Sequence, residues 1–134
     1  MKVTIVLFNV TKDAVLMVKP NMANDTLLKY PSVDIKSGVY YMTAGYDLLN
    51  NLDLTKKDVN LHFVRHEKVL SKCPDYAEED WNTCILGGIL GKEISISDDY
   101  IWVNTKDTTT LCDADGFGAC LMHMLEAEKV LKIS

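Results

Sequence analysis

Short runs of β-branched and apolar residues open the chain, and apolar residues at helical spacing follow them. Residues 3–8 and 14–18 are two such runs joined by a polar turn, which predicts a β-hairpin. Residues 33–36 alternate between apolar and polar types, as a short strand does. In residues 41–52 the apolar positions recur at helical spacing, which predicts an amphipathic helix with Thr43 as a candidate N-cap.

The second half of the chain predicts further strands and a closing helix. The strand segments are residues 59–69, 81–90, 93–96 and 100–103, and residues 106–111 predict one helical turn. A regular strand would place Leu61, Phe63 and Arg65 on one face. The Gly87-Gly88 pair, inside an apolar run, predicts a bulge or close packing.

The last helix is predicted over residues 117–131. Its apolar stripe consists of Phe117, Cys120, Leu121, Met124, Leu125 and Leu131, with His123, Glu126 and Lys129 outside it. With the two short candidates at residues 93–96 and 100–103 counted as one, the order of elements is then βββαβββα, without a linker or an internal repeat. We therefore expect a single α+β domain over residues 1–134, built as an α/β/α sandwich.

Composition and charge narrow the range of partners. The formal net charge is −5, and Arg65 is the only arginine among 14 basic residues. A nucleic-acid polymer is not expected as a partner, because no stripe of clustered Lys and Arg is present in the sequence. A membrane is not expected either, since no apolar run reaches the length of a spanning helix. The four cysteines form no C-x-x-C pair, and we expect reduced thiols in a cytoplasmic protein.

Residues 30–38 read Tyr-Pro-Ser-Val-Asp-Ile-Lys-Ser-Gly and lead into the predicted helix, which closes on Leu-Asp-Leu at residues 52–54. This stretch resembles a segment of the Nudix family that reads aromatic-Pro-Gly-Gly-x-apolar-x-x-Gly. The family motif continues as G-x5-E-x7-R-E-U-x-E-E-x-G-U, where U is aliphatic. The opening hairpin and residues 80–86 and 100–103 are also similar to family strands. The resemblance implies a Nudix-like fold with a mixed sheet packed between helices, and a homodimer as in many relatives.

Most of the carboxylates of the family motif are replaced in this chain. Counting back from Leu54, Asp53 stands at the family glycine, Asn50 and Asn51 at the Glu-Glu pair, Asp47 at the preceding glutamate and Tyr46 at the arginine. Asp47 is therefore the one possible metal ligand that the resemblance retains. Mg²⁺ is usually held by carboxylates together with substrate phosphates, and Asn offers no charge. We expect that no cofactor is required, and that Mg²⁺ enters only if the chain is a hydrolase.

Other side chains are candidates for contact with a ligand. Arg65 is the first choice for a phosphate or a base, because its planar guanidinium suits both. The candidates for stacking are Phe63, Trp81, Tyr46 and Tyr76. The resemblance implies that Asp113 and Asp115 read the edge of a base, while capping of the last helix by Asp115 is the alternative.

These features favour a non-catalytic Nudix-fold protein that binds, and by binding sequesters, a nucleotide-type small molecule. Two alternatives stay open. One is a metal-dependent Nudix-type pyrophosphohydrolase of nucleoside diphosphate derivatives, in which Asp47 acts with the relocated carboxylates of Glu78, Glu79 or Asp80. The other is an interaction or regulatory protein whose pocket has closed.

Overall fold

The computed structural model describes residues 1–20, 27–36, 38–68, 82–114 and 118–133. The strands in this part of the chain are β1 (Lys2–Phe8), β2 (Ala14–Val18), β3 (Ser32–Asp34), β4 (His62–Lys68), β5 (Asn82–Ile89) and β6 (Tyr100–Asn104). The helices are α1 (Tyr41–Asn50), α2 (Thr108–Asp113) and α3 (Ala119–Val130). None of the three helices in these ranges combines the length and the apolar sequence that a membrane-spanning helix needs.

The strands form one mixed sheet in the order β4-β5-β1-β2-β6. The central strand β1 runs parallel to β5 along its whole length. On its other edge, β1 pairs antiparallel with β3 near its start and with β2 near its end. Parallel neighbours cannot be joined by a tight turn, and the chain between β1 and β5 accordingly includes α1.

Each face of the sheet carries its own apolar core. On the α1 face the core includes Ile5, Leu7, Leu49, Leu54 and Leu86. On the opposite face, α2 and α3 cover a core that includes Val6, Phe8, Ile85, Leu111 and Met124. Strand β1 is buried on both faces because it lies at the centre, which explains its nearly continuous apolar sequence. The expected α+β sandwich with a mixed sheet between helices is confirmed.

A β-bulge in β4 reverses the expected orientation of its side chains. The register between β4 and β5 shifts between Phe63 and Arg65, so Val64 is the extra residue. As a result the Phe63 ring lies 5.8 Å from the ring of Tyr41 in α1. Arg65 Nη1 instead donates to Glu126 Oε1 of α3 at 2.6 Å. The prediction that Phe63 and Arg65 share a face is therefore wrong.

Helix α3 packs most of its predicted apolar stripe against the core: Cys120 and Met124 are buried, and Leu121 and Leu131 are partly buried against them. Two positions differ from the prediction. Its buried residues are Cys120, His123, Met124 and Ala127. Leu125, expected in the core, is 47% exposed, and His123, expected outside, is 9% exposed. A Cβ placed on Gly87 would lie 3.5 Å from Ala127 Cβ, so small residues let the helix approach β5 closely. His123 Nε2 lies 3.1 Å from Glu67 Oε1, although the two are not aligned as a hydrogen bond.

Two smaller predictions are also wrong. Residues 93–96 form no strand; Ile94 and Ile96 pack on the α1-side core without joining the described sheet. The N-cap of α1 is Tyr40 rather than Thr43, and the described residues supply no side-chain cap there. The short helical segment expected at residues 106–111 is confirmed as the helix α2, which begins two residues later and which Asp107 caps by accepting from Thr110 N–H at 3.1 Å.

Candidate functional site

Two open grooves flank the exposed side of α1, and Asp47 lines both of them. The larger one, the lysine groove, has a volume of about 600 Å³, and its lining includes Tyr40, Tyr46, Asp47, Asn50, Lys56 and Lys57. The second, the β3 groove, has a volume of about 370 Å³, and its lining includes Asp34, Lys36, Asp47 and Asn51. The residues that replace the family glutamates therefore lie on groove walls.

Close packing at Gly45 fixes the position of α1 over the sheet. A Cβ on Gly45 would lie 2.6 Å from Leu86 Cδ1 and 3.0 Å from Leu61 Cδ1. The absence of a side chain lets the helix axis approach β5 closely. The opposite side of the helix, with Asp47 and Asn50, remains exposed to the lysine groove.

The end of α1 has the hydrogen bonds of a Schellman motif. Leu54 N–H donates to Leu49 O at 3.0 Å, and Asp53 N–H donates to Asn50 O at 3.0 Å. Asp53 adopts a φ of 60°, the left-handed conformation that glycine adopts most readily. The family motif has glycine at this position. The backbone therefore supports the alignment that counts back from Leu54.

Tyr46, at the position of the family arginine, connects α1 to the start of β4. Its hydroxyl oxygen accepts a hydrogen bond from Leu61 N–H at 3.0 Å. Lys56 Nζ lies 5.1 Å from the centre of the Tyr46 ring, within the range of a cation–π contact. The hydroxyl thus has a structural partner, while the ring forms part of the groove wall.

The turn that carries the two lysines is held in place by Asp58. Asp58 Oδ2 accepts from Thr55 N–H at 2.9 Å, and Asp58 N–H donates to Thr55 O at 2.9 Å. Lys92 Nζ lies 3.3 Å from Asp58 Oδ1. The hydrogen bond from Thr55 N–H, assisted by Lys92, lowers the pKa of Asp58. Lys56 and Lys57 are exposed at the tip of this turn.

Three aromatic rings, here called the aromatic row, extend from the groove towards β4. The centres of the Tyr40 and Tyr41 rings are 4.8 Å apart, and the Tyr41 and Phe63 rings follow at 5.8 Å. Tyr40 is 59% exposed and Phe63 is 44% exposed. A hydrogen bond with Tyr40 raises the pKa of Tyr41. The rings are tilted against one another by 50° and 56°, and Tyr40 is the member of the row that lines the lysine groove.

The oxygen ligands that the described residues offer in the two grooves do not fit the Mg²⁺ site that the family resemblance implies. Asp47 is the only carboxylate among the described lining residues of the lysine groove, and Asp34 joins it only in the β3 groove. Nowhere in the described ranges do three or more His, Cys, Asp or Glu side chains gather to hold a metal ion. Mg²⁺ needs octahedral oxygen ligands and is usually anchored by carboxylates.

The other candidates from the sequence are dispersed. Phe63 lies on the α1 face with Tyr46 and Asp47, whereas Arg65 is directed to α3 on the opposite face. Asp113 is exposed at the end of α2, also on the α3 side. The remaining candidates, Tyr76, Glu78, Glu79, Asp80, Trp81 and Asp115, lie outside the described residues.

Sequence reasoning missed Tyr40, Lys56 and Lys57 as members of the site. A signal for the lysines was present, since Lys-Lys follows the motif-like helix directly within Thr-Lys-Lys-Asp at residues 55–58. Two adjacent tyrosines at the start of α1 were the signal for the aromatic row.

No protein-family model matches the sequence, and no match to it is found among curated proteins. Solved structures do match. A mutT/nudix family protein from Listeria innocua superposes with a TM-score of 0.71 at 13% identity, covering 98% of this chain and 92% of that one. An Ap4A hydrolase from C. elegans, in a binary complex, superposes with a TM-score of 0.67 at 11% identity, covering 98% of both chains.

A NUDIX family hydrolase from Clostridium perfringens superposes with a TM-score of 0.58 at 12% identity, covering 97% of this chain and 96% of that one. The superpositions establish the fold. At identities this low they say nothing about the chemistry, which depends on the residues of the site. The chain has the Nudix fold.

Proposed function

We propose that this protein binds a nucleotide-type small molecule in the lysine groove without hydrolysing it. One observation carries the proposal. The groove combines an exposed tyrosine and two lysines with a helix on which, of the carboxylates in the family motif, Asp47 alone remains. The described residues thus supply surfaces for a base and for phosphates, but not the donor set for a catalytic metal.

The aromatic row would bind the base. Tyr40 is exposed at the groove and is supported from behind by Tyr41. Stacking of a base on an aromatic side chain contributes about 1–3 kcal/mol and depends little on which base is bound. Asn50, on the groove wall, offers an amide that can both donate and accept hydrogen bonds. Such a site suits nucleotides as a class.

Binding without turnover follows from the same residues. Hydrolysis of a diphosphate requires an activated water and neutralisation of the charge that develops on the phosphates. Asp47 could accept a proton, but the described groove offers no second carboxylate beside it. A protein that retains a nucleotide without consuming it would lower the free concentration of that nucleotide, and sequestration is the role that we propose.

Calorimetric titration with a panel of mononucleotides, dinucleotides and cyclic nucleotides tests the proposal. We expect at least one of them to bind more tightly than about 1 mM, the weak end of specific affinity. We expect binding in EDTA to be at least as tight as in Mg²⁺, and no hydrolysis product with Mg²⁺ or Mn²⁺. Failure of every nucleotide to bind would refute the proposed ligand class.

The Asp47→Asn variant tests the proposed absence of hydrolysis. Turnover that requires a metal in the unmodified protein, and that is lost in Asp47→Asn, would show that the protein is a hydrolase. Thermal melting provides an independent measurement, because a metal that binds only the folded state stabilises it by mass action. We expect about 10 mM Mg²⁺ to stabilise the protein by less than about 0.5 kcal/mol.

A further inference from the structure

We infer that Lys56 and Lys57 bind a diphosphate group directly and supply the positive charge that a divalent metal would otherwise supply. The inference rests on the proposed function, since it assigns the phosphate-binding residues of the same groove. It also specifies the ligand: a compound with two adjacent phosphates, recognised without metal.

The charge of the lysine groove supports this assignment. Two ammonium groups, from Lys56 and Lys57, and one carboxylate, from Asp47, give the described lining a net charge of +1. The whole chain carries −5. The groove is thus a local positive site on an acidic protein, and such a field attracts anionic ligands.

The two ammonium groups are available for a ligand. Neither Lys56 nor Lys57 forms an ion pair with a carboxylate in the described part of the chain. By contrast, Lys92 is paired with Asp58 and Arg65 with Glu126. An ammonium group forms charge-assisted hydrogen bonds with phosphate oxygens, which are stronger than neutral ones.

The turn presents these lysines from a fixed position. Thr55 and Asp58 close it through reciprocal hydrogen bonds, and Gly91 N–H donates to Asp58 O at 2.8 Å, which ties the turn to the end of β5. Tyr46 supports the Lys56 ammonium through its ring face. Because the backbone is already ordered, binding need only order the side chains.

Two adjacent lysines on one turn suit two adjacent phosphates. A diphosphate carries more charge than a monophosphate and presents oxygens to both ammonium groups at once. We therefore expect ADP to bind more tightly than AMP, and inorganic pyrophosphate to bind in the absence of a base. Affinity should fall as salt concentration rises, because exposed charges are screened.

The test uses calorimetric titration of ADP, AMP and pyrophosphate in EDTA and in Mg²⁺. The variants are Lys56→Gln, Lys57→Gln, the double variant, and Lys56→Arg with Lys57→Arg. We expect the double Gln variant to weaken ADP and pyrophosphate binding by about tenfold or more, equivalent to about 1.4 kcal/mol, and the Arg pair to retain binding. EDTA should not weaken binding by the unmodified protein.

Two controls separate the groove from general charge effects. Lys36→Gln removes a lysine that lines the β3 groove, and Lys106→Gln removes an exposed lysine after β6. Each makes the same change in net charge as one single Gln variant, and the two together match the double Gln variant; all three should leave affinity unchanged. All the substituted lysines are exposed, so melting temperatures should agree with that of the unmodified protein.

The outcomes distinguish this inference from the proposed function. ADP binding that survives the double Gln variant, or that requires Mg²⁺, overturns the role of the lysines and leaves nucleotide binding standing. If pyrophosphate binding depends on the lysines and nucleotides bind no better than pyrophosphate, the role of the lysines is supported. The proposal that the ligand is a nucleotide is then refuted. Failure of ADP, AMP and pyrophosphate to bind refutes the assignment to the lysines.

Discussion

The hydroxyl of Tyr46 accepts a hydrogen bond from the backbone N–H of Leu61 at 3.0 Å and so joins the helix α1 to the start of β4. Tyr46 occupies the position of the family arginine, and sequence reasoning placed it among the ligand contacts. The structure gives its hydroxyl a partner within the protein. Ring and hydroxyl can therefore be tested separately.

We expect Tyr46→Phe to lower the free energy of unfolding by about 1–3 kcal/mol, because it leaves the Leu61 N–H without its acceptor in a residue that is 5% exposed. Nucleotide affinity should be unchanged, since the ring remains. Denaturant titration measures the first effect and calorimetry the second. Tyr40→Phe removes a hydroxyl that hydrogen-bonds to the Tyr41 side chain at the surface, where water can replace it, and serves as the control, with an expected change below about 0.5 kcal/mol.

Replacement of Asp53 by glycine should stabilise the protein by about 0.5–1 kcal/mol, because it relieves the cost of a left-handed residue at φ 60°. Asp53→Ala should destabilise it, since alanine tolerates that conformation poorly. Lys132 ends α3 in the same conformation, at φ 57°, and Lys132→Gly should also stabilise the protein. Denaturant midpoints measure all three. Equal stability of the Gly and Ala variants at position 53 would contradict the assigned backbone conformation.

Gly88 is required by the close approach of Val59 to β5. A Cβ at this position would lie 2.5 Å from Val59 Cγ1, and β-branched valine has little rotamer freedom with which to move away. We expect Gly88→Ala to cost about 1–3 kcal/mol of stability. Val59→Ala in the same background should recover part of that loss, and a double-mutant cycle measures the coupling. Additive effects of the two substitutions would argue against the contact.

The stability contribution of Asp58 should depend on pH. Its pKa in the folded protein is lowered, chiefly by the hydrogen bond from Thr55 N–H, below the ordinary value of 3.8. A carboxylate of this kind stabilises the fold above its unfolded pKa, and the contribution is lost as pH falls through the folded pKa. Asp58→Asn should therefore lower the denaturant midpoint at neutral pH.

The difference between Asp58→Asn and the unmodified protein should diminish as pH falls from the ordinary aspartate pKa and should disappear below the lowered pKa of the folded Asp58 carboxyl, where both side chains are neutral. Asp98→Asn, which makes the same charge change at an exposed residue before β6, controls for net charge. A midpoint difference that is constant from neutral to acidic pH would show that the Asp58 carboxylate is not the source of the effect.

Arg65→Gln should leave nucleotide affinity unchanged and lower stability by less than about 1 kcal/mol. The guanidinium is directed to Glu126 of α3, and its side chain is 42% exposed, so the ion pair is largely solvated. Calorimetry and denaturant titration of one variant test both statements. If Arg65→Gln lost as much ADP affinity as the lysine variants are expected to lose, Arg65 would be a ligand contact, as the sequence predicted.

The fold could be predicted from the sequence because its strongest signals are local. Hydrophobic alternation and helical spacing identified the opening hairpin and α1, and the motif-like stretch at residues 30–54 located α1 within the Nudix fold. The alignment also placed Asp53 at a family glycine, and the structure gives this residue the left-handed conformation that glycine adopts most readily. These features depend on residues that are close together in sequence, and the periodic pattern of apolar residues reflects such local relationships directly.

Tertiary structure alone decided which side chains meet. The alternation of side chains along a regular strand predicted Phe63 and Arg65 on one face. The bulge at Val64 places them on opposite faces, and nothing in the local sequence pattern indicates this bulge. The apolar stripe of α3 was predicted for Cys120, Leu121, Met124 and Leu131, but the close approach at Gly87 and Ala127, beside which His123 is buried and Leu125 exposed, was not. Lys56 and Lys57 entered the site because Asp58 fixes their turn beside α1, through contacts with Thr55, Gly91 and Lys92. The physical reason is the same in each case: packing and hydrogen bonds between distant segments carry no period along the chain.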